Sequence, residues 1–146
     1  MSLIGYALRM AKQYYEPKTY DHALRVATYV ADNSLIPSDK MDDCIALGIM
    51  HDLIEDTEYA KRAKNDLYNP ESGLTKDKHF FNCLSFLTKE HGEDYIEYIK
   101  KIREVSDDMP EVYWVKLADM KDHLAQTETL TDKLKEKYLA ALPHLL

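Results

Sequence analysis

His51 and Asp52 stand side by side at the end of an otherwise apolar run, CIALGIM (44–50), and together offer an imidazole nitrogen and a carboxylate oxygen. That donor pair suits a borderline divalent cation such as manganese, iron or zinc. Two distant segments carry the same donor types: His22 in YDHALRVA and Asp119 in VKLAD. Asp119 lies in apolar surroundings, where an unpaired carboxylate is costly and coordination of a cation is one way to offset the cost. Glu55 follows His51 by four residues and Asp52 by three, and Asp56 follows Asp52 by four. If the helix continues, both project on the same side as the pair. Two carboxylates beside such a cation are the residue types needed to orient a water and take its proton during hydrolysis. His123, four after Asp119, faces the same pocket on a helix.

Each residue also has an ordinary structural explanation. His22 suits a satisfied, partly buried histidine. His51-Asp52 suits a helix C-terminal cap, where a protonated imidazole meets the negative end of the dipole. Asp119 can pair with Lys116 or His123, and Glu55, Asp56 and Glu58 can form a solvated acidic turn. What favours the metal reading is their joint occurrence, in this order, in one chain.

These residues need helices to carry them. The sequence has 146 residues, 4 Gly and 5 Pro, too few turn signals for a sheet protein of this length. Apolar positions recur with helical period. Helices are expected over 2–14, about 20–32 (with Leu24, Val26, Ala27, Tyr29 and Val30 on one broad face), and from Ser38, a candidate N-cap, to about His51. The stretch 15–18, with Pro17, reads as a break. Residues 57–73 are the least legible, holding a polar helix-like piece, EYAKRAKNDLY, and the breaker NPESG. Further helices are expected over about 76–88, 93–105, 110–127 with Pro110 in the first turn, and 131–142 after a Thr129 or Thr131 cap. The fold class is therefore all-α, one domain over 1–146 with six or seven helices.

The net charge of −7 does not suit a nucleic-acid binder, which would show a basic face. It is compatible with a metal enzyme, because the cation supplies the positive charge that a phosphate ester needs. Cys44 and Cys83 sit in apolar helical segments with no CxxC pair, and read as buried structural thiols. The longest uncharged run, Cys44 to Met50, is too short to span a bilayer. MSLIGYALRM lacks the form of a signal peptide, so a cytoplasmic location is expected.

YDHALRVA, HDLIEDT (51–57), LTKEHGEDYIEYIKKI (87–102) and VKLADMKDHL (115–124) together resemble the HD-domain phosphohydrolases. More narrowly, they resemble the small alarmone hydrolases, single-domain relatives of the RelA/SpoT hydrolase half. The resemblance covers roughly residues 18–142, and HDLIEDT is its most specific part. It implies an all-helical fold and one divalent ion, manganese first, with iron, zinc or magnesium as alternatives. It implies removal of pyrophosphate from the 3′ position of guanosine tetraphosphate or pentaphosphate, with a phosphorylated guanine nucleotide as partner and neither nucleic acid nor membrane. It makes His22, His51, Asp52 and Asp119 metal ligands, Glu55 and Asp56 the pair that positions and activates water, and Tyr138 a substrate contact. Lys89 and Lys116 are candidate phosphate partners. The family usually carries Asn four residues beyond the last Asp; here His123 stands there as a candidate substrate contact. Arg9, Lys12 and Lys18 lie where the family has a basic segment. Two other readings stay open: another HD-type nucleotide phosphohydrolase, such as a nucleoside monophosphate phosphatase, and a helical binding module without turnover. Intact Glu55 and Asp56 argue against the latter.

Overall fold

The computed structural model describes residues 2–68 and 78–146. Among them the regular structure is all helix: α1 Leu3–Tyr14, α2 Pro17–Ala31, α3 Ser38–Met50, α4 Leu53–Asp56, α5 Ala60–Tyr68, α6 Lys78–Leu87, α7 Tyr95–Val105, α8 Pro110–Ala125 and α9 Asp132–Leu145. The all-α expectation holds. There are more segments than the expected six or seven because the chain after His51 breaks and restarts as the single turn α4, and because the polar piece before residue 69 is itself helical. The breaker NPESG and the expected start at Lys76 lie outside the described residues.

Local chemistry explains most of the boundaries. Ser2 caps α1 by accepting from the Gly5 amide at 2.9 Å, Asp94 caps α7, and Thr131 caps α9. Pro110 occupies the first turn of α8 as expected. Gly92 has φ 82°, the left-handed region that glycine enters freely, and separates α6 from α7. Three boundaries differ from expectation. The second helix starts at Pro17 rather than near Tyr20, because the fixed φ of proline at the first position seeds it and Glu16 takes the cap place. Ser38 is the first residue of α3 and makes no capping bond; the extended backbone of Pro37 puts the cap one residue earlier. α9 continues through Pro143 to Leu145, since fully buried Leu145 anchors the last turn in the core.

α3 is the centre of the packing. Leu47, Ile49 and Met50 are fully buried, and α3 touches α1, α2, α6 and α8. α2 presents His22, Ala23, Val26, Ala27 and Val30 inward; of the face expected for it, Leu24 is half-buried and Tyr29 is exposed. Val26, Ala27 and Val30 are buried as expected, and Ala23 joins them on the inner stripe, where the small pair Ala23 and Ala27 lets α2 approach α3 closely. A Cβ built on Gly48 of α3 would stand 3.5 Å from the Ala27 Cα, an ordinary contact. Cys44 and Cys83 are both free and buried, as expected. No helix among the described residues is long and apolar enough to cross a membrane.

Adjacent positions in α3 should therefore respond with opposite signs. Leu47→Ala opens a cavity in the core and should cost about 2–5 kcal/mol. Gly48→Ala meets no obstruction and should stabilise by up to about 1 kcal/mol through helix propensity. Urea denaturation followed by circular dichroism checks both.

Candidate metal centre

The site forms where α2, α8 and the end of α3 meet. A helical break builds half of it. The backbone leaves the α3 ladder at His51 and restarts at Leu53. Buried Tyr15, in the α1–α2 joint, bridges that break: its hydroxyl donates to the Ile49 carbonyl at 2.8 Å and accepts from the Asp52 amide at 3.2 Å. The break turns both His51 and Asp52 toward α8.

Of the four side chains expected to act together, His22, His51 and Asp119 come within 4.8 Å of one another, and Asp52 lies next to His51. Asp119 Oδ1 lies 2.8 Å from His22 Nε2 and 3.1 Å from His51 Nε2. Asp52 Oδ2 lies 3.2 Å from His51 Nε2 and 3.9 Å from His22 Nε2. Neighbouring donors around a cation with bonds of about 2.1 Å stand about 3 Å apart in octahedral geometry, so the His22, His51 and Asp119 spacings fit one ion, while the Asp52 carboxylate stands beside His51 and groups with Glu55 and Asp56. His22, His51 and Asp119 are all buried.

The rings are also set in the right tautomer. His22 Nδ1 donates to Asp122 Oδ2 at 2.6 Å, and Asp122 is itself held by the Arg25 guanidinium at 2.8 Å. His51 Nδ1 donates to the Gly48 carbonyl at 2.6 Å. With both Nδ1 protons committed, each neutral ring aims a bare Nε2 at the shared point, the arrangement that orients metal-binding histidines generally.

Burial alone would lower the pKa of His22, but hydrogen bonding and charge from Asp119 outweigh it and the net shift is upward. His51 goes well above its usual value for the same reason, with burial opposed by Asp52 and Asp119. Burial pushes Asp119 up, but Lys116 and His51 hold it well below the carboxylate range. The carboxylates that raise both imidazoles are the same groups that would favour a divalent ion between them.

Both structural alternatives for Asp119 are also present: Lys116 Nζ contacts Oδ2 at 2.7 Å and His123 Nε2 contacts Oδ1 at 3.2 Å. They coexist with the metal geometry because Lys116 uses the other carboxylate oxygen. His51 likewise ends α3 as its C-cap while presenting Nε2 to Asp119.

Glu55 and Asp56 flank the centre on two sides; one oxygen of each lies within 4.8 Å of the other and of one from Asp52. Glu55 accepts from the Lys89 amide at 2.8 Å and opens on a cleft of about 120 Å³ that also exposes Lys89, Lys116, Lys137 and Asp119. Asp56 lines a separate hollow with Tyr15, Glu16 and Thr19. Burial, then the Asp52 and Glu55 charges, push its carboxyl up to about 6. His123 stacks on His22 (centroids 4.5 Å apart) and on Tyr138 (4.7 Å, planes 8° apart). That stack separates the lysine cleft from a second one of about 430 Å³, where Lys18 and Arg25 lie. Lys12 instead sits over the Tyr20 ring at 5.3 Å.

The sequence reading missed Asp122, Arg25, Tyr15 and Lys137. Arg25 lies three residues after His22 and Asp122 three after Asp119, one helical turn each, so once the metal pair was chosen this spacing could have pointed to a supporting pair. Lys137 gave no signal beyond its place next to Tyr138. Burial and then the nearby Lys116 and Lys89 charges lower its pKa.

A family model described as HD domain matches residues 19–141. No curated protein matches the chain.

Asp122→Asn keeps the size of the side chain but weakens its hold on the His22 Nδ1 proton, and should reduce divalent-cation affinity by about 10–100-fold with the fold retained. Titration of the metal-free variant with manganese, alongside circular dichroism, measures this. Because the cation binds neutral imidazole and both pKa values are raised, affinity should climb as pH rises through and beyond the ordinary histidine value. Calorimetry in buffers of different ionisation enthalpy should record net proton release on binding.

Proposed function

The chain belongs to the HD-domain family of metal-dependent phosphohydrolases, and we propose that it hydrolyses phosphorylated nucleotides, with guanosine 3′,5′-bis(diphosphate) as first substrate and pyrophosphate as product. The observation that carries this reading is that the His22 and His51 Nε2 atoms and the Asp119 carboxylate stand at ligand spacing, with Asp52 3.2 Å from His51, beside a cleft holding three lysines and Glu55. His22, His51, Asp52 and Asp119 would hold the divalent ion, manganese first. When bound, the ion polarises a phosphoryl oxygen and lowers the pKa of water.

The remaining work falls to the protein. Lys116 is buried, fixed by Asp119 and laid over the Tyr98 ring at 5.0 Å, so it presents a positioned charge to a phosphate. Lys137, 4.4 Å from the Tyr95 centroid, and Lys89 add charge at the more open side. Glu55 and Asp56 orient the attacking water, and Asp56, with its carboxyl near neutrality, accepts its proton. Water oxygen bonds to the 3′-linked phosphorus, the bond to the 3′ oxygen breaks, and pyrophosphate leaves. Tyr138 and His123 offer stacked rings against which a purine can lie.

His123 supports a second reading. An imidazole committed to a stack between His22 and Tyr138 offers different hydrogen bonding from the Asn of the alarmone hydrolases, which favours another nucleotide substrate, such as a nucleoside monophosphate cleaved to orthophosphate.

Purified protein with manganese should release pyrophosphate from guanosine tetraphosphate, and His51→Ala, folded by circular dichroism, should lose that turnover. Asp56→Asn should retain manganese and lower kcat by about 10²–10⁴-fold. Orthophosphate from monophosphates with no pyrophosphate from the tetraphosphate would move the assignment to the second reading, and full activity in His51→Ala would refute the ligand set.

A further inference from the structure

Glu111 stands in the first turn of α8, eight residues before Asp119 and so about 12 Å from it along the helix axis. It is 3% exposed. Its Oε2 accepts from His79 Nε2 at 2.7 Å and lies 3.7 Å from the Lys40 ammonium. Its other oxygen, Oε1, is buried and has no hydrogen-bond partner among the described residues. Cys83, fully buried, places its sulfur 3.6 Å from the same His79 nitrogen. His79 and Cys83 are four apart on α6 and so share one face. One donor atom from each of His79, Cys83 and Glu111 lies within 4.8 Å of the other two.

An ion pair between His79 and Glu111 accounts for the 2.7 Å contact alone. It leaves Oε1 unsatisfied in the interior, which is costly, and gives no reason for a thiol on the same nitrogen. A cation answers both. Imidazole, thiolate and carboxylate together form a zinc-type donor set. The sulfur–nitrogen spacing also matches the edge of about 3.6 Å expected in a tetrahedral site with bonds of about 2.3 and 2.1 Å. His79 and Lys40 are partly exposed, at 39% and 38%. The site is therefore reached from solvent past them, and the Lys40 ammonium is the charge that an ion would displace.

We propose that His79, Cys83 and Glu111 form a second divalent-cation site of the zinc class, which ties α6 to the first turn of α8 and is separate from the centre at Asp119. Binding deprotonates the Cys83 thiol, and its proton passes to solvent.

Cobalt(II) is the probe. No cysteine lies among the four donors of the first centre, so thiolate-to-cobalt charge-transfer absorption reports the second site alone, whatever the enzyme's substrate. The full chain, titrated with cobalt(II) under reducing conditions, should develop that absorption. Cys83→Ser should abolish it and Cys44→Ser should keep it. His79→Gln, on a half-exposed helical face, should fold and weaken cobalt binding by roughly tenfold or more. No charge-transfer band in the unaltered chain, or a band that survives Cys83→Ser, overturns the site. Loss of the band in Cys44→Ser overturns the three-residue assignment. If Cys83→Ser fails to fold, the unaltered chain and His79→Gln decide the question.

Discussion

A carboxylate enclosed by protein must be matched by positive or proton-donating groups, and Asp119 sets that demand at the middle of α8. Its Oδ1 takes three imidazoles, from His22, His51 and His123, while Oδ2 takes Lys116. Those partners come from α2, from the end of α3 and from α8 itself. Removing one member of such a buried set costs about 3–5 kcal/mol because the others are left uncompensated. The apolar packing and the polar centre therefore constrain each other. α2 can bring His22 to Asp119 only if Ala23, Val26 and Ala27 lie flat against α3, and that close approach is made by small side chains on both helices. The same demand makes the site suitable for a cation, since a divalent ion supplies positive charge to carboxylates enclosed by protein.

The acidic residues after the break are divided by geometry. An uninterrupted α3 would carry 51–56 along one straight helix, but the interruption at 51–52 lets Asp52 turn to the metal point while the single turn α4 sends Glu55 toward the lysine cleft and Asp56 toward the hollow beside Tyr15. One short segment thus places ligating and proton-handling carboxylates on different sides of the same point. The positive charges are arranged on the opposite wall: Lys116 is buried and fixed, Lys89 is half-buried and Lys137 is exposed. A chain with a net charge of −7 still gathers three lysines at one cleft, beside Asp52, Glu55 and Asp119.

How far this could be read from the sequence depended on whether the signal was local. Helix periods, Pro110 at a first turn, Thr131 as a cap and the turn at Gly92 are local and were legible. HDLIEDT was legible because donor types cluster within seven residues. Ser38 misled because capping preference alone ignores the backbone that Pro37 imposes. Leu24 and Tyr29 misled because hydrophobicity favours large residues, while close helix contact selected Ala23 beside the expected Ala27. The Asp122–Arg25 support, the Tyr15 bridge and the His79–Cys83–Glu111 cluster join residues 32 to 97 positions apart, and no periodicity within one helix encodes such a meeting. The combination of metal donors was legible only as a joint pattern, because each donor taken singly has an ordinary use, and Asp119 shows both uses at once.

The stack of His22, His123 and Tyr138 has a further consequence. The lysine cleft and the larger recess holding Lys18 and Arg25 share two lining side chains, His123 and Tyr138. The position of the imidazole is governed by the two side-chain torsions of residue 123, each with a few allowed wells. A change of rotamer there would alter the width of both recesses at once, so the room offered to a ligand depends on side-chain torsion as well as on the helical frame.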